Sequence, residues 1–205
     1  MNLKSIIIVL LAFFALTMEA QHLIVVDNSW KKERLFDKEW VRLMIPEGTA
    51  FGVNCIPSHA REWALTYNPS TKQLVYKIVE KSLWSLTFRA THEEKVNEDG
   101  THEWLELDRP RDYVAPQVKT VMMTLTAEQA QKLETLWTTA INAAVEKEVN
   151  LLDGIKWEFF KGDKRAKSHS QNNALVKFVQ ELVKAVNTGD VGRKDSLIDS
   201  ELPRL

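Results

Sequence analysis

The sequence contains one cysteine, Cys55, and only seven glycines in 205 residues. A single cysteine excludes an intramolecular disulfide, so we expect an ordinary hydrophobic core to stabilise the fold. Loops that bind nucleotide phosphates are rich in glycine, so this low glycine content does not favour a nucleotide site, and we expect no cofactor. The 27 lysines and arginines nearly balance the 28 aspartates and glutamates, giving a net charge of −1. Without a cationic surplus, nucleic acid is not an expected partner.

The N-terminus has the order of a secretory signal peptide. Lys4 precedes an apolar run from Ile6 to Leu16, and a short polar stretch ends at Ala20. The run is shorter than the roughly 20 residues that a membrane-spanning helix needs, although an uncleaved anchor remains the alternative. We therefore predict removal of residues 1–20 and export to the periplasm, the cell surface or the medium, with no membrane span after cleavage.

The rest of the chain predicts one α+β domain over residues 21–189 and a loose tail over 190–205. Apolar alternation predicts an antiparallel sheet. A capping box at Thr126 begins a helix over about 127–147, and apolar spacing predicts a second helix over about 172–188. We expect both helices to pack on one face of the sheet, with the other face partly wet.

Local patterns set finer expectations for the strands. A turn at Gly162-Asp163 places Phe159 opposite Ala166 on the inner face. The same register places Trp157 opposite Ser168, and Glu158 opposite Lys167 on the outer face. Further strands are predicted at Trp40–Ile45, Trp63–Tyr67, Leu74–Val79, Trp84–Arg89 and Val118–Leu125. Thr91–Pro116 is predicted to be a projecting polar ribbon that turns at Glu98-Asp99-Gly100.

Cys55 and His59 are the sharpest candidates for catalysis. A thiolate nucleophile needs a nearby base, and His169 can approach as a third group. However, Cys55 lies in an apolar stretch, and Pro57 prevents a regular helix from aligning positions 55 and 59. We therefore favour a buried, inert thiol in a non-enzymatic protein, and a cysteine-dependent hydrolase is the alternative.

His92 and His102 each lie in a Thr-His-Glu triplet of the predicted ribbon. With the neighbouring glutamates they resemble a loose set of metal ligands, but zinc needs three or four convergent ligands. A ribbon turning at Gly100 separates the two histidines along its strands. We expect no metal site and keep both histidines as candidates for binding a partner.

Seven tryptophans are many for a chain of this length. The apolar period assigns Trp84, Trp137 and Trp157 to the core. Trp30, Trp40 and Trp104 are then the candidates for an exposed aromatic surface, which in an exported protein suits stacking on sugar rings. A glycan-binding module is therefore a further alternative.

Three segments carry a family resemblance. They are the junction Ala20-Gln21, the hairpin from Pro57 to Trp84, and the strand Leu152–Phe159 followed by a C-terminal helix. In these the chain resembles small, uncharacterised families of exported proteins of Bacteroides-type bacteria. The resemblance implies a one-domain periplasmic or surface protein and carries over no functional residue.

These observations favour a non-enzymatic domain that binds a protein or a glycan of the cell envelope through residues 91–116. A structural or assembly component of the envelope is another hypothesis. The two alternatives to the non-enzymatic domain require other residues. The hydrolase requires Cys55 and His59, and the glycan-binding module requires exposed tryptophans.

Overall fold

The apolar alternation produces a seven-stranded antiparallel sheet, flanked by helices on both faces. The computed structural model describes residues 23–25, 34–58, 60–145 and 154–203. Its strands are β1 (Ile24–Val25), β2 (Phe51–Pro57), β3 (Trp63–Asn68), β4 (Gln73–Val79), β5 (His92–Val96), β6 (His102–Glu106), β7 (Val118–Thr124), β8 (Ile155–Lys161) and β9 (Lys164–Ser168). Its helices are α1 (Leu35–Met44), α2 (Leu83–Thr91), α3 (Ala127–Asn142), α4 (Ala174–Thr188) and α5 (Val191–Ser200). The predicted α+β class with an antiparallel sheet is confirmed.

The order of strands in the main sheet is β1-β9-β8-β2-β3-β4-β7, and β5 and β6 form a separate two-stranded ribbon. The predicted hairpin β8–β9 has the expected register, with Phe159 opposite Ala166 and Trp157 opposite Ser168. Gly162 opens its turn with φ of 55°, a backbone angle that favours glycine. Local alternation and turn chemistry therefore predicted this hairpin correctly.

Helices α3 and α4 pack on one face of the sheet, as predicted. The capping box is present, because Gln129 N–H donates to the Thr126 side chain and the Gln129 side chain accepts from Thr126 N–H. Trp137 lies at the centre of this core, where its ring contacts Phe51 and Phe159. Its Nε1 donates to the Gly52 carbonyl at 2.8 Å, so the indole is both buried and hydrogen-bonded.

The C-terminal segment is a helix, so the prediction of a loose tail over 190–205 was wrong. Asp190 caps α5, and Leu197 and Ile198 are buried against the main core. The buried Lys194 donates from Nζ to the Thr124 carbonyl and to Gln129 Oε1. The helix is held by this polar network as well as by apolar contacts, which explains why hydrophobic periodicity alone did not indicate it.

The second face of the sheet is covered in part by α1 and α2, where we predicted strands and a wet surface. Trp40 and Met44 of α1 pack with Ala64, Val79 and Leu83 in a separate small core. The segments Trp40–Ile45 and Trp84–Arg89 were both assigned as strands because short apolar runs do not distinguish a strand from a helix. Both lie largely in helices, α1 and α2.

Glu158 is also on the second face, opposite Lys167 as predicted, but it is buried rather than exposed. Its Oε1 accepts from Arg165 Nη1 at 3.0 Å, and its Oε2 lies 3.0 Å from Lys156 Nζ. Two cations therefore compensate a carboxylate that is taken out of water. The predicted register and face were therefore correct, but the expected exposure of Glu158 to solvent was wrong, because α1 lies over this part of the sheet.

Among the helices that the structure describes, none is both long enough and apolar enough to span a membrane.

Candidate functional site

The candidate site begins with helix α2, whose first turn is held by a buried carboxylate from a distant part of the chain. Glu62 accepts hydrogen bonds from Ser82 Oγ at 2.8 Å, Leu83 N at 3.0 Å and Trp84 N at 2.9 Å. Ser82 is the N-cap, and its hydroxyl accepts from Ser85 N at 3.1 Å. A carboxylate at this end also complements the positive end of the helix dipole. The helix start is therefore fixed independently of its apolar pattern.

Helix α2 and the residue that follows it, His92 at the start of β5, align three rings along one side. Trp84 and Phe88 stack with ring centroids 4.9 Å apart and planes 14° apart, and Phe88 and His92 stack at 4.2 Å and 13°. Their spacing of four residues brings side chains one above another on a helix. The His92 ring is held further by Nδ1, which lies 2.9 Å from Thr91 Oγ1 and 3.2 Å from the Phe88 carbonyl.

The ribbon adds a fourth ring to this stack. Strands β5 and β6 pair with Glu94 opposite Trp104 and Val96 opposite His102, so these side chains share one face of the ribbon. Trp104 meets Phe88 at a centroid distance of 5.1 Å and an angle of 68°. We call the surface formed by Trp84, Phe88, Val96 and Trp104 the aromatic face.

The aromatic face is open to solvent. Trp84 and Trp104 are each 48% exposed and Val96 is 60% exposed. Large apolar side chains that remain this exposed and adjacent are unusual on a protein that has no partner for them. The aromatic face therefore brings two half-exposed indoles together around one phenyl ring.

A polar pair borders the aromatic face. His102 Nδ1 lies 2.6 Å from Glu94 Oε1 on the same side of the ribbon. Glu93 points to the other face of the ribbon, where its Oε2 lies 2.6 Å from Arg111 Nη2, and the Arg111 backbone N–H donates to the Ala90 carbonyl at 2.7 Å. The strand-to-loop segment after β6 is thereby tied back to α2, which fixes the base of the ribbon.

The predicted ribbon itself is confirmed. Asn97 N donates to the Thr101 carbonyl at 2.9 Å, and Gly100 has φ of 81° at the tip. The histidines lie on the same face of the ribbon but in different surroundings. His92 belongs to the ring stack and His102 pairs with Glu94, and within the described part of the chain no three His, Cys, Asp or Glu side chains converge as a metal site.

Cys55, the candidate nucleophile, is buried in the main core on strand β2. Burial, together with the charge of Glu62, raises the pKa of its thiol to about 12. The thiol is therefore protonated at neutral pH, which gives a nucleophilic role no support. His59 lies outside the described residues. His169 is half-buried, and burial with the nearby charges of Lys167 and Lys156 lowers its pKa.

The tryptophan candidates separate into three cases. Trp104 is exposed as expected, and Trp30 lies outside the described residues. The expected exposure of Trp40 was wrong, because this side chain of α1 packs inward against the sheet. Trp84, which we assigned to the core, is half exposed because its segment is helical. The ring stack was not predicted, although the four-residue spacing of Trp84, Phe88 and His92 is the signal in the sequence that would have indicated it.

Comparison with known proteins adds no relative: the chain matches no protein-family model, no curated protein and no solved structure. The resemblance to exported proteins of Bacteroides-type bacteria therefore stays a prediction.

Proposed function

We propose that the protein is exported and acts as a non-enzymatic binding protein of the cell envelope, in the periplasm or at the cell surface. Its aromatic face contacts a partner protein. One observation carries the proposal: Trp84 and Trp104, from two different elements, stay half exposed while both pack against Phe88. Export is supported by the order of Lys4, the apolar run Ile6–Leu16 and the polar stretch that ends at Ala20.

The composition of the surface matches that of a protein interface. Interfaces have an apolar centre, are enriched in tryptophan and arginine, and are surrounded by a polar rim. Here Trp84, Trp104 and Val96 supply the centre. The pair Glu94–His102, on the same face of the ribbon as Trp104, supplies part of a polar rim. A partner that covers the centre gains the apolar burial that the isolated domain leaves unused.

The geometry of the rings favours a protein over a glycan. A sugar stacks on an open ring face, but Phe88 is covered on both sides by Trp84 and His92. The stack therefore presents mainly ring edges to solvent, which side chains of a partner can contact from several directions. Glycan binding remains the alternative outcome of the experiment, through the outer faces of Trp84 and Trp104.

The test uses the mature protein as bait on an envelope fraction, followed by affinity measurement with the purified interactor. Trp84→Ala and Trp104→Ala are compared with Met122→Ala, which removes another exposed apolar side chain from strand β7. Truncating a tryptophan at the centre of an interface weakens the binding free energy by about 2 kcal/mol or more. Each tryptophan variant should therefore bind the partner about 30-fold more weakly than wild type does. The Met122 variant should bind as wild type does.

The proposal is wrong if the double variant Trp84→Ala, Trp104→Ala retains every partner of the wild-type protein. Binding of defined oligosaccharides that depends on the same two tryptophans would instead establish the glycan alternative.

Export is tested separately, by sequencing the N-terminus of protein recovered from the producing cells. Cleavage after Ala20 gives a chain that starts at Gln21. Recovery of the intact chain, with Met1, from the cytosol would contradict export without bearing on the aromatic face.

A further inference from the structure

Strand β7 is the last strand in the order of the main sheet, so only one of its two sides is paired with a described strand, β4. Just before the strand, Glu80 N donates to the Gln117 carbonyl at 2.9 Å. Just after it, Leu125 N donates to the Lys72 carbonyl at 2.9 Å. Because hydrogen bonding alternates along an antiparallel strand, the odd-numbered residues of β7 direct their backbone groups towards β4. The even-numbered residues direct their N–H and C=O groups away from the sheet.

Three of these even-numbered residues have backbone groups that are free to pair. Within the part of the chain that the structure describes, Val118, Thr120 and Met122 make no hydrogen bond on the outer side of β7. Thr120 and Met122 are exposed, Met122 to 59%. Thr124 differs, because its carbonyl accepts from Lys194 Nζ at 3.1 Å. A row of free backbone groups of this kind is a template for another β-strand.

The order of side chains suits pairing of β7 with the same strand of a second copy. In an antiparallel pair centred on Thr120, the two Thr120 residues lie opposite each other, and Val118 lies opposite Met122 of the second copy. Three backbone pairs then form, and each exchanges two hydrogen bonds. On the second face of the sheet, threonine meets threonine and valine meets methionine, and both are favourable cross-strand combinations.

The ends of the strand favour this register over its neighbour. With the pair centred on Thr120, Thr124 lies opposite Pro116 of the second copy. Pro116 has no N–H, and the Thr124 carbonyl is already occupied, so the hydrogen bond that cannot form here has neither a free donor nor a free acceptor. Centring the pair on Val121 would instead place the N–H of Val118 against the occupied carbonyl.

The charges are also compatible with a second copy. Lys119 is the only charged residue of β7, and its Nζ lies 3.1 Å from Asn187 Oδ1 of α4. In the pair centred on Thr120, Lys119 lies opposite Val121 of the second copy, so no like charges meet. Centring on Lys119 would place two lysines directly opposite each other, which is unfavourable. The net charge of −1 adds little repulsion between two copies.

We propose that the protein forms a two-fold symmetric homodimer in which β7 pairs antiparallel with β7 of the second copy. The pairing is centred on Thr120 and joins the two sheets into one, with the same surface used by both copies. A strand pair of this length buries less surface than the roughly 1,600 Å² of a standard interface, so we expect a dissociation constant on the order of 10 μM. The inference does not depend on the proposed partner protein, because it uses the backbone of β7 and not the aromatic face.

Sedimentation velocity over about 1–200 μM protein tests the dimer, and wild type should change from monomer to dimer in this range. Thr120→Glu places two carboxylates opposite each other in the dimer and should weaken dimerisation more than tenfold. Within one chain Thr120 lies opposite Lys77 on β4, so the new glutamate should not destabilise the monomer. Thr139→Glu makes the same change of charge at an exposed residue of α3 and should dimerise as wild type does.

Mixing two charge variants tests the register. Thr120→Lys should dimerise as weakly as Thr120→Glu, because like charges again meet at the two-fold axis. An equimolar mixture of the two variants should form a heterodimer with an affinity within about threefold of wild type, since opposite charges then meet. Recovery in the mixture also shows that both variants are folded, including Thr120→Lys, which brings a second amine beside Lys77.

Crosslinking gives a measurement that does not rely on charge. Thr120→Cys places two cysteines opposite each other with Cα atoms about 5.5 Å apart, which is within the range of a disulfide. Met122→Cys is the matched control, because its two copies lie four residues apart along the pair, about 13 Å, and cannot be bridged. Oxidation with diamide should give a covalent dimer of the first variant only, and the buried Cys55 should not contribute.

A wild-type protein that stays monomeric at the highest concentration would overturn the proposal. Dimerisation that is as strong in Thr120→Glu as in wild type would place the dimer contact elsewhere and overturn it too. Crosslinking of Met122→Cys in preference to Thr120→Cys would overturn the register centred on Thr120.

Discussion

Replacing Glu62 by glutamine removes the charge that holds the start of helix α2, the helix that carries Trp84 and Phe88. Glu62 Oε1 accepts from Ser82 Oγ and Trp84 N, and Oε2 accepts from Leu83 N. In the Glu62→Gln variant one oxygen becomes an NH₂ group. A donor then faces a donor at Leu83, whose side chain is fully buried, or at the other pair.

The expected loss follows from these contacts. A hydrogen bond to a charged group contributes about 1.5–3 kcal/mol, and a charge at a helix N-terminus contributes about 0.3–1 kcal/mol more. We therefore expect Glu62→Gln to lower the free energy of unfolding by about 2–4 kcal/mol. Glu62→Ala removes all three acceptors and should cost more. Ser82→Ala removes only the N-cap and should cost about 1 kcal/mol.

Equilibrium unfolding in urea measures these differences, and Glu80→Gln is the matched control because Glu80 is exposed beside the same helix. Surface changes of this kind stay within about 0.5 kcal/mol of wild type. Amide exchange at Leu83 and Trp84 should accelerate in Glu62→Gln, since their acceptors weaken. Equal stability of the Glu62 and Glu80 variants would refute the view that a remote carboxylate fixes this helix.

Three further predictions concern the sheet. Gly52→Ala should lower the free energy of unfolding in urea by about 2–3 kcal/mol, because the new Cβ would lie 2.7 Å from the Leu65 carbonyl oxygen. Gly192→Ala in α5, the control, should raise it by about 0.5–1 kcal/mol, and similar values for the two variants would contradict the packing argument. Glu158→Gln should lower the free energy of unfolding by about 2–3 kcal/mol in the same assay. The loss should be smaller than for a fully buried ion pair because Lys156 and Arg165 are about one third exposed, and an unchanged free energy would contradict the pairing. Iodoacetamide should leave Cys55 unmodified in the folded protein at neutral pH and modify it after unfolding, and rapid alkylation would revive the hydrolase hypothesis. Because burial raises the pKa of this thiol from 9.0 to about 12, its contribution to stability is complete below pH 9 and falls as the pH rises towards 12.

Hairpins and caps were predictable from the sequence because each depends on residues close together in the chain. The register of β8–β9 follows from one two-residue turn, and the start of α3 follows from Thr126 and Gln129. The order of strands was not predictable. β8 pairs with β2, about a hundred residues away, and a local pattern contains no information about that contact.

The burial of Glu158 shows the same limit. Its alternation with Trp157 and Phe159 correctly placed it on the opposite face of the sheet. Alternation cannot say whether another element covers that face. Helix α1 covers this part of the face. The segment Trp40–Ile45, which we expected to be a strand, lies mostly in this helix, and a pocket beside Glu158 separates the helix from the sheet.

The aromatic face depends on helix α2, one of the two second-face helices that the sequence pattern assigned to strands. In a strand, residues four apart are separated by about 13 Å, so Trp84, Phe88 and His92 would not touch. On a helix the same spacing is about 6 Å, and the structure accordingly stacks the rings at 4.9 Å and 4.2 Å. Assigning Trp84–Arg89 to a strand placed Trp84 in the core and left Trp104 without a neighbour. The contact that decides between the two conformations is Glu62, because its carboxylate supplies the acceptors that a helix start requires and a strand at this position would not use.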